Sequence, residues 1–67
     1  MEIVKCFRST HKVEQTPEGW QITCIADDSA AAWTGQSAEG SVDFVSIDAA
    51  STAREALVRA GYKPVEM

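Results

Sequence analysis

Apolar and polar positions alternate along two runs, Ile3 to Glu14 and Trp20 to Ala26, which flank Thr16-Pro17-Glu18-Gly19. Proline pre-sets φ at the second position of a type I turn and glycine suits the fourth, so the segment predicts a β-hairpin. With Gln15 opposite Trp20, the register sets Val13 against Ile22, His11 against Cys24 and Ser9 against Ala26. Side chains alternate faces along a strand, so Trp20, Ile22, Cys24 and Ala26 share one apolar face with Val13, Phe7 and Ile3. Lys12, Thr10, Arg8, Gln21 and Thr23 take the other face. Slipping the pairing by one residue would mix the two sets, and this specifies the register.

Beyond Asp27-Asp28 the pattern weakens. Ala30-Ala31-Ala32-Trp33 suits either a third strand or a short helical turn capped by Asp28 or Ser29. Ser37 to Gly40 reads as a turn. Ser41 to Asp48 reads as a strand whose apolar residues fall on both parities, as in a strand buried on both faces or bulged.

The spacing then changes to a helical period. Ala53, Ala56, Leu57 and Ala60 draw one apolar stripe, Thr52 and Glu55 have the spacing of a capping box, and Gly61 suits the left-handed position past the end. Tyr62 to Met67 resumes as a short extended segment, with Pro64 favouring a sheet edge. The pattern as a whole predicts an α+β fold: an antiparallel meander of three or four strands, one C-terminal helix packed on one face, and a final extended segment. The segment from Ala49 to Val65 is similar to the strand–helix–strand endings of many small bacterial modules, including the cytoplasmic repeats of type II secretion platform proteins. That likeness consists of helix-cap chemistry and brings no function with it.

Sixty-seven residues make a single domain spanning residues 1–67. A chain this short buries about 60% of its unfolded surface. Small-molecule pockets typically occupy ~300–1,000 Å³, so size favours binding over catalysis. No run approaches the ~20 apolar residues of a membrane helix, and Met1 to Lys5 lacks the pattern of a signal peptide, so a cytoplasmic protein is expected.

Charge adds direction. Residues 13–53 contain no Lys or Arg and seven acids: Glu14, Glu18, Asp27, Asp28, Glu39, Asp43 and Asp48. Residues 1–12 carry +2 and residues 54–67 carry +1, within a net charge of −4. An acidic segment steers basic partners and repels nucleic-acid phosphates. Its carboxylates also suit a solvated surface against which the basic ends fold back.

The chemistry-bearing residues form no catalytic or metal motif. Cys6 and Cys24 lack C-x-x-C spacing. In this register they fall on opposite faces, separated by about 16 Å along paired strands, and read as free thiols. His11 lies across from Cys24, but no orienting group or further ligand completes a dyad or a zinc site, so it reads as a histidine at the sheet margin. Asp27-Asp28 suits a strand end and Asp48 a helix N-terminus. Trp20 belongs to the core; Trp33 fits either a hot spot beside acids or core filler.

The expected function is therefore that of a non-catalytic inhibitor or regulator without cofactor or metal. It would present Glu18, Asp27, Asp28, Trp33, Glu39 and Asp43 to a basic surface on another protein or nucleoprotein. Phage inhibitors of bacterial defence nucleoproteins, such as anti-CRISPR proteins, are an example class by size and charge. Two other expectations stand beside it. One is an assembly module that pairs through a strand edge, as a homodimer along Ile3–Glu14 or Tyr62–Met67. The other is a small enzyme, or an accessory subunit of one, using His11, Cys24 and an acid.

Overall fold

A β-hairpin forms around Thr16-Pro17-Glu18-Gly19, the turn that the sequence specifies. The computed structural model describes residues 1–65. Strands β1 (Glu2–Cys6), β2 (Ser9–Thr16), β3 (Gly19–Asp27) and β4 (Val42–Ser46) make one antiparallel sheet in the order β1-β2-β3-β4. Helix α1 (Ala30–Trp33) lies between β3 and β4, and helix α2 (Ala53–Arg59) follows β4. The architecture is an α+β meander with its C-terminal helix on one face. At the β2–β3 turn the Thr16 hydroxyl accepts from the Gly19 N–H at 3.1 Å and donates to the Gly19 carbonyl at 3.2 Å.

Pairing of β2 with β3 follows the expected register from Gln15↔Trp20 through Val13↔Ile22 to His11↔Cys24. It then shifts by one. Thr10 rather than Ser9 faces Ala26, and Ser9 faces Asp27, because a bulge at Ile25 inserts an extra residue into β3. The sequence carries no glycine there to announce it.

The run from Ile3 to Glu14 is two strands instead of one. The chain reverses through Phe7-Arg8, and Cys6 pairs with Ser9. Arg8 takes a φ of 65°, a conformation that costs a residue with a Cβ energy and that Gly or Asn would announce. The turn is held from outside. The Arg8 carbonyl accepts from the Asp28 N–H at 2.9 Å, and the Phe7 N–H donates to the Lys63 carbonyl at 2.8 Å.

That reversal changes which side chains face inward. In β1, Glu2 sits opposite Val13 and Val4 opposite His11, so Val4 and Cys6 turn to the core. Ile3 and Phe7, expected in the core, are exposed instead. Cys6 and Cys24, expected on opposite faces, are both buried.

Helix α2 covers the inner face. Thr52 caps it by accepting from the Glu55 N–H at 3.1 Å, and the Glu55 carboxylate reaches back to the Ser51 N–H. Its C-terminus closes in a Schellman turn: Tyr62 N–H donates to the Leu57 carbonyl and Gly61 N–H to that of Val58, with Gly61 at φ 99°. The stripe Ala53, Ala56 and Leu57 is buried against Val13, Trp20, Ile22 and Val45. The Trp20 indole N–H donates to the Ala50 carbonyl at 2.9 Å, so its polar end is satisfied inside the core.

Strand β4 is neither bulged nor buried on both faces. Val45 faces the core, while Val42 and Phe44 lie on the uncovered face. The C-terminal segment runs beside β1, where Pro64 bridges to Cys6. Glu66 and Met67 of the expected extended segment lie outside the described residues.

Gly19 is the tightest backbone position. A Cβ there would press into the Val45 carbonyl oxygen and lie 2.9 Å from both the Ile47 nitrogen and Phe44 Cζ. Gly19→Ala is therefore expected to cost about 2–3 kcal/mol in urea unfolding, by forcing β4 away from β3. An unchanged midpoint would contradict this packing.

Candidate functional site

Two ends of the sheet receive the acidic residues. Glu18 occupies the Pro17-Glu18 turn, and its carbonyl accepts from the Ile47 N–H, so it lies at the same end as the β4–α2 connection carrying Asp48. Asp27 is at the far end of β3, roughly 26 Å away at the usual strand rise. Asp28, Trp33 and Glu39 belong to the β3–β4 connection beyond it. Glu18 thus stands at the opposite pole from Asp27, Asp28, Trp33 and Glu39, while Asp43 lies between them, opposite Ile22 midway along β3.

Three carboxylates of the anionic stretch are engaged within the fold: Glu14, which pairs with Lys12 at 3.3 Å, Asp27 and Asp43. Asp27 accepts from the Ala38 N–H at 2.7 Å and the Ser29 N–H at 2.9 Å, closing the β3–β4 connection like a clasp. These bonds, led by that from Ala38, hold its carboxyl below the usual range. Asp43, on the helix-covered face of β4, accepts from the Tyr62 hydroxyl at 2.6 Å. Asp28 and Glu39 are exposed, as is Glu18 at the opposite pole.

Trp33 ends α1, a single turn with no buried residue. The Ala30–Trp33 segment is helical, and Trp33 is 86% exposed, so it is not core filler. The connection is nonetheless ordered by hydrogen bonds: Gln36 N–H to the Ala31 carbonyl, Ser41 N–H to Ala38, and Gly40 N–H to Cys24. A large indole is held in water on a short, tied-down platform between exposed acids.

Beneath this platform lies a cleft of about 260 Å³ whose walls include Ser9, His11, Cys24, Asp27, Ala38 and Tyr62. His11 is fully buried and not at the sheet margin. Its ring lies 4.0 Å from that of Tyr62, centroid to centroid, and its Nε2 is 2.9 Å from Ser9 Oγ. Among the described residues, Nδ1 has no hydrogen-bond partner. Burial pushes the imidazole pKa down, against the opposing pull of Asp43 and Asp27. Burial also pushes the Cys24 and Cys6 thiols up. The Cys24–His11 pair therefore favours neutral thiol and neutral imidazole, the reverse of an activated thiolate–imidazolium pair.

Tyr62 is the residue that sequence reasoning missed. Placed by the pattern on the extended segment that contains Pro64, it instead turns inward at the end of the Schellman motif, packs on His11 and donates to Asp43. Its partner lies nineteen positions away, and no local pattern signals that contact. Among the described residues, no three His, Cys, Asp or Glu side chains cluster as metal ligands, and no helix is long and apolar enough to cross a membrane.

Comparison with known proteins finds no matching family model, no matching characterised protein and no matching solved structure.

The buried pair generates opposite pH limits. Tyr62 is pushed up to about 12, first by burial and then by the Asp43 carboxylate. Its unfolded phenol ionises near 10, so its contribution is intact below pH 10 and is lost as pH rises toward 12. Absorbance titration of this one tyrosine should show that upward shift, and a midpoint near 10 would contradict it. His11 favours the neutral form in the fold, so its contribution is present above its usual value of 6.5 and declines as pH falls below it. Unfolding free energy should drop on acidification below pH 6.5 in the wild type, and that step should vanish in His11→Gln.

Proposed function

We propose that the chain is a non-catalytic inhibitor or regulator that docks on a basic surface of another protein or nucleoprotein. It does so through the pole formed by Trp33, Asp28 and Glu39. The observation that carries this reading is Trp33, 86% exposed on an ordered turn, within a segment that has acids and no Lys or Arg from residue 13 to 53. Removing an indole from water on binding stabilises a complex well beyond what most contacts provide. Carboxylates around it steer a cationic surface into register and reject an anionic one.

The division of charge narrows the docking surface. Glu18 lies too far from Trp33 to share one small contact with it. Asp27 contributes by holding the platform in shape, and Asp43 by anchoring Tyr62. A partner whose basic surface ordinarily meets nucleic acid is the natural match, since the exposed carboxylates occupy the place of phosphates. Phage-encoded inhibitors of defence nucleoproteins, the anti-CRISPR proteins among them, exemplify that mode of action. Two cysteines that are both free and buried suit a reducing compartment, which supports a cytoplasmic location.

The test is capture of a partner from host lysate on the immobilised protein at low and high salt. Binding is expected to weaken strongly with salt. Trp33→Ala should lower affinity by about thirtyfold, as for a hot-spot residue. The pair Asp28→Asn and Glu39→Gln should flatten the salt dependence, whereas Glu18→Gln at the opposite pole should change little. Capture that survives Trp33→Ala and ignores salt would refute the docking pole.

A further inference from the structure

Sheet and C-terminal segment meet at one side chain. His11 is fully buried in β2, with Val4 of β1 and Cys24 of β3 as its register partners. Tyr62 lies against it, the ring centroids 4.0 Å apart. The flanking strands are fixed by their ladders, so Tyr62 is the part of this enclosure that moves at least cost.

The enclosure suits a neutral ring. An imidazolium carries two N–H donors. Among the described residues only Ser9 Oγ, 2.9 Å from Nε2, is in reach, and Nδ1 has no partner. Whichever nitrogen bears the proton of the neutral ring, a second proton would leave a buried donor unpaired, which is costly. The charged and titratable groups around His11 do not supply the missing acceptor. Around it stand Cys24 and Asp27 from β3, Asp43 from β4, Cys6 from β1 and Tyr62 from the C-terminal segment. Arg8 lines the same cleft, and Glu39 acts on Cys24. Asp27 accepts from the Ser29 and Ala38 N–H groups and Asp43 from the Tyr62 hydroxyl. Both carboxylates attract an imidazolium, but burial outweighs them and pushes the His11 pKa down.

Tyr62 is carried on a strap, residues 62–65, that is fastened at few points. The Phe7 N–H donates to the Lys63 carbonyl at 2.8 Å, and the Val65 N–H donates to the Lys5 carbonyl at 2.9 Å, beside the Cys6–Pro64 bridge. The Tyr62 hydroxyl bond to Asp43, at 2.6 Å, is the fastening on the far side. The strap also steadies the Phe7-Arg8 reversal, in which Arg8 is strained at φ 65°. Segments tied by so few bonds open at lower free energy than a sheet interior.

We infer that residues 62–65 form an acid-released strap: protonation of His11 drives Tyr62 off the imidazole, frees the Phe7 N–H and the Lys5 carbonyl, and bares the outer edge of β1 while the β2–β3 hairpin stays paired. In the opened form the imidazole is in water and ionises at its ordinary value of about 6.5. Above that value the strap is closed. Below it, each pH unit favours the opened form by up to tenfold, because only that form takes the proton readily. The inference does not depend on what the Trp33 pole binds.

Native-state hydrogen exchange of the whole chain, followed by NMR in low urea, tests this. At pH 7.5 the Phe7 and Val65 amides, corrected for their intrinsic rates, should exchange through an opening more frequent and less urea-dependent than the one that exposes the β2–β3 amides. Below about pH 6 their protection should fall toward tenfold per unit. His11→Gln should hold it flat over that range. Tyr62→Phe keeps the ring and loses the Asp43 bond, so it should raise opening about tenfold at every pH and retain the slope. Circular dichroism checks that both variants fold, and the His11 ring resonance of the wild type, which needs no variant, should titrate below 6.5. Phe7 and Val65 amides that track the β2–β3 amides at every pH and urea concentration would mean whole-molecule unfolding and overturn the proposal. So would an acid response that persists in His11→Gln or disappears in Tyr62→Phe, or a ring that titrates at or above 6.5.

Discussion

The close seat of α2 on the sheet is the contact that the rest of the molecule depends on. Ala53 and Ala56 place almost no bulk between helix and strands, so Leu57 reaches the row formed by Val13, Ile22 and Val45. Trp20 fills the side of this layer, and its indole N–H is satisfied by the Ala50 carbonyl. Larger residues on the stripe would lift the helix, expose Ile22 and break the Trp20 bond. In a chain with so little interior, one layer of apolar contacts carries most of the stabilisation.

Seating the helix also decides where the chain goes next. The Schellman turn at Gly61 delivers Tyr62 under the sheet, where its ring packs on His11 and its hydroxyl reaches Asp43. The chain then crosses to β1 and holds the Phe7-Arg8 reversal through Lys63. A helix cap, a buried polar group and an unannounced hairpin turn are therefore parts of one arrangement. Burial of a neutral imidazole beside a neutral phenol restricts the pH range in which that arrangement is at its most stable.

The outside of the molecule divides into three kinds of surface. At one pole an ordered loop carries an indole and the acids Asp28 and Glu39 in water, beside the exposed Arg8 whose carbonyl accepts from the Asp28 N–H. Along the open face Ile3, Val42 and Phe44 are exposed among Lys12, Thr23 and Gln21. At the rim of that face β4 is the last strand of the described sheet, and its Ser46 carbonyl accepts from the Ala49 and Ala50 N–H groups of the turn that follows.

From the residues alone, the β2–β3 hairpin with its register up to His11↔Cys24, the capped helix and its apolar stripe, and the meander class all followed. Each of these depends on neighbours within a few positions: a Pro-Glu-Gly turn, a period of two, a period near 3.6, a Thr-to-Glu cap and a closing glycine. What escaped were the reversal at Phe7-Arg8, the bulge at Ile25, the burial of His11 and the inward turn of Tyr62. Arg8 holds its positive φ because Asp28 and Lys63 bind the chain on either side of it, and Tyr62 enters the core because Asp43 and His11 await it there. The separation of Glu18 from Asp28, Trp33 and Glu39 likewise follows from the length of β3. Local chemistry determines which elements form, whereas contacts between residues distant in the chain decide where it bends and which charges meet.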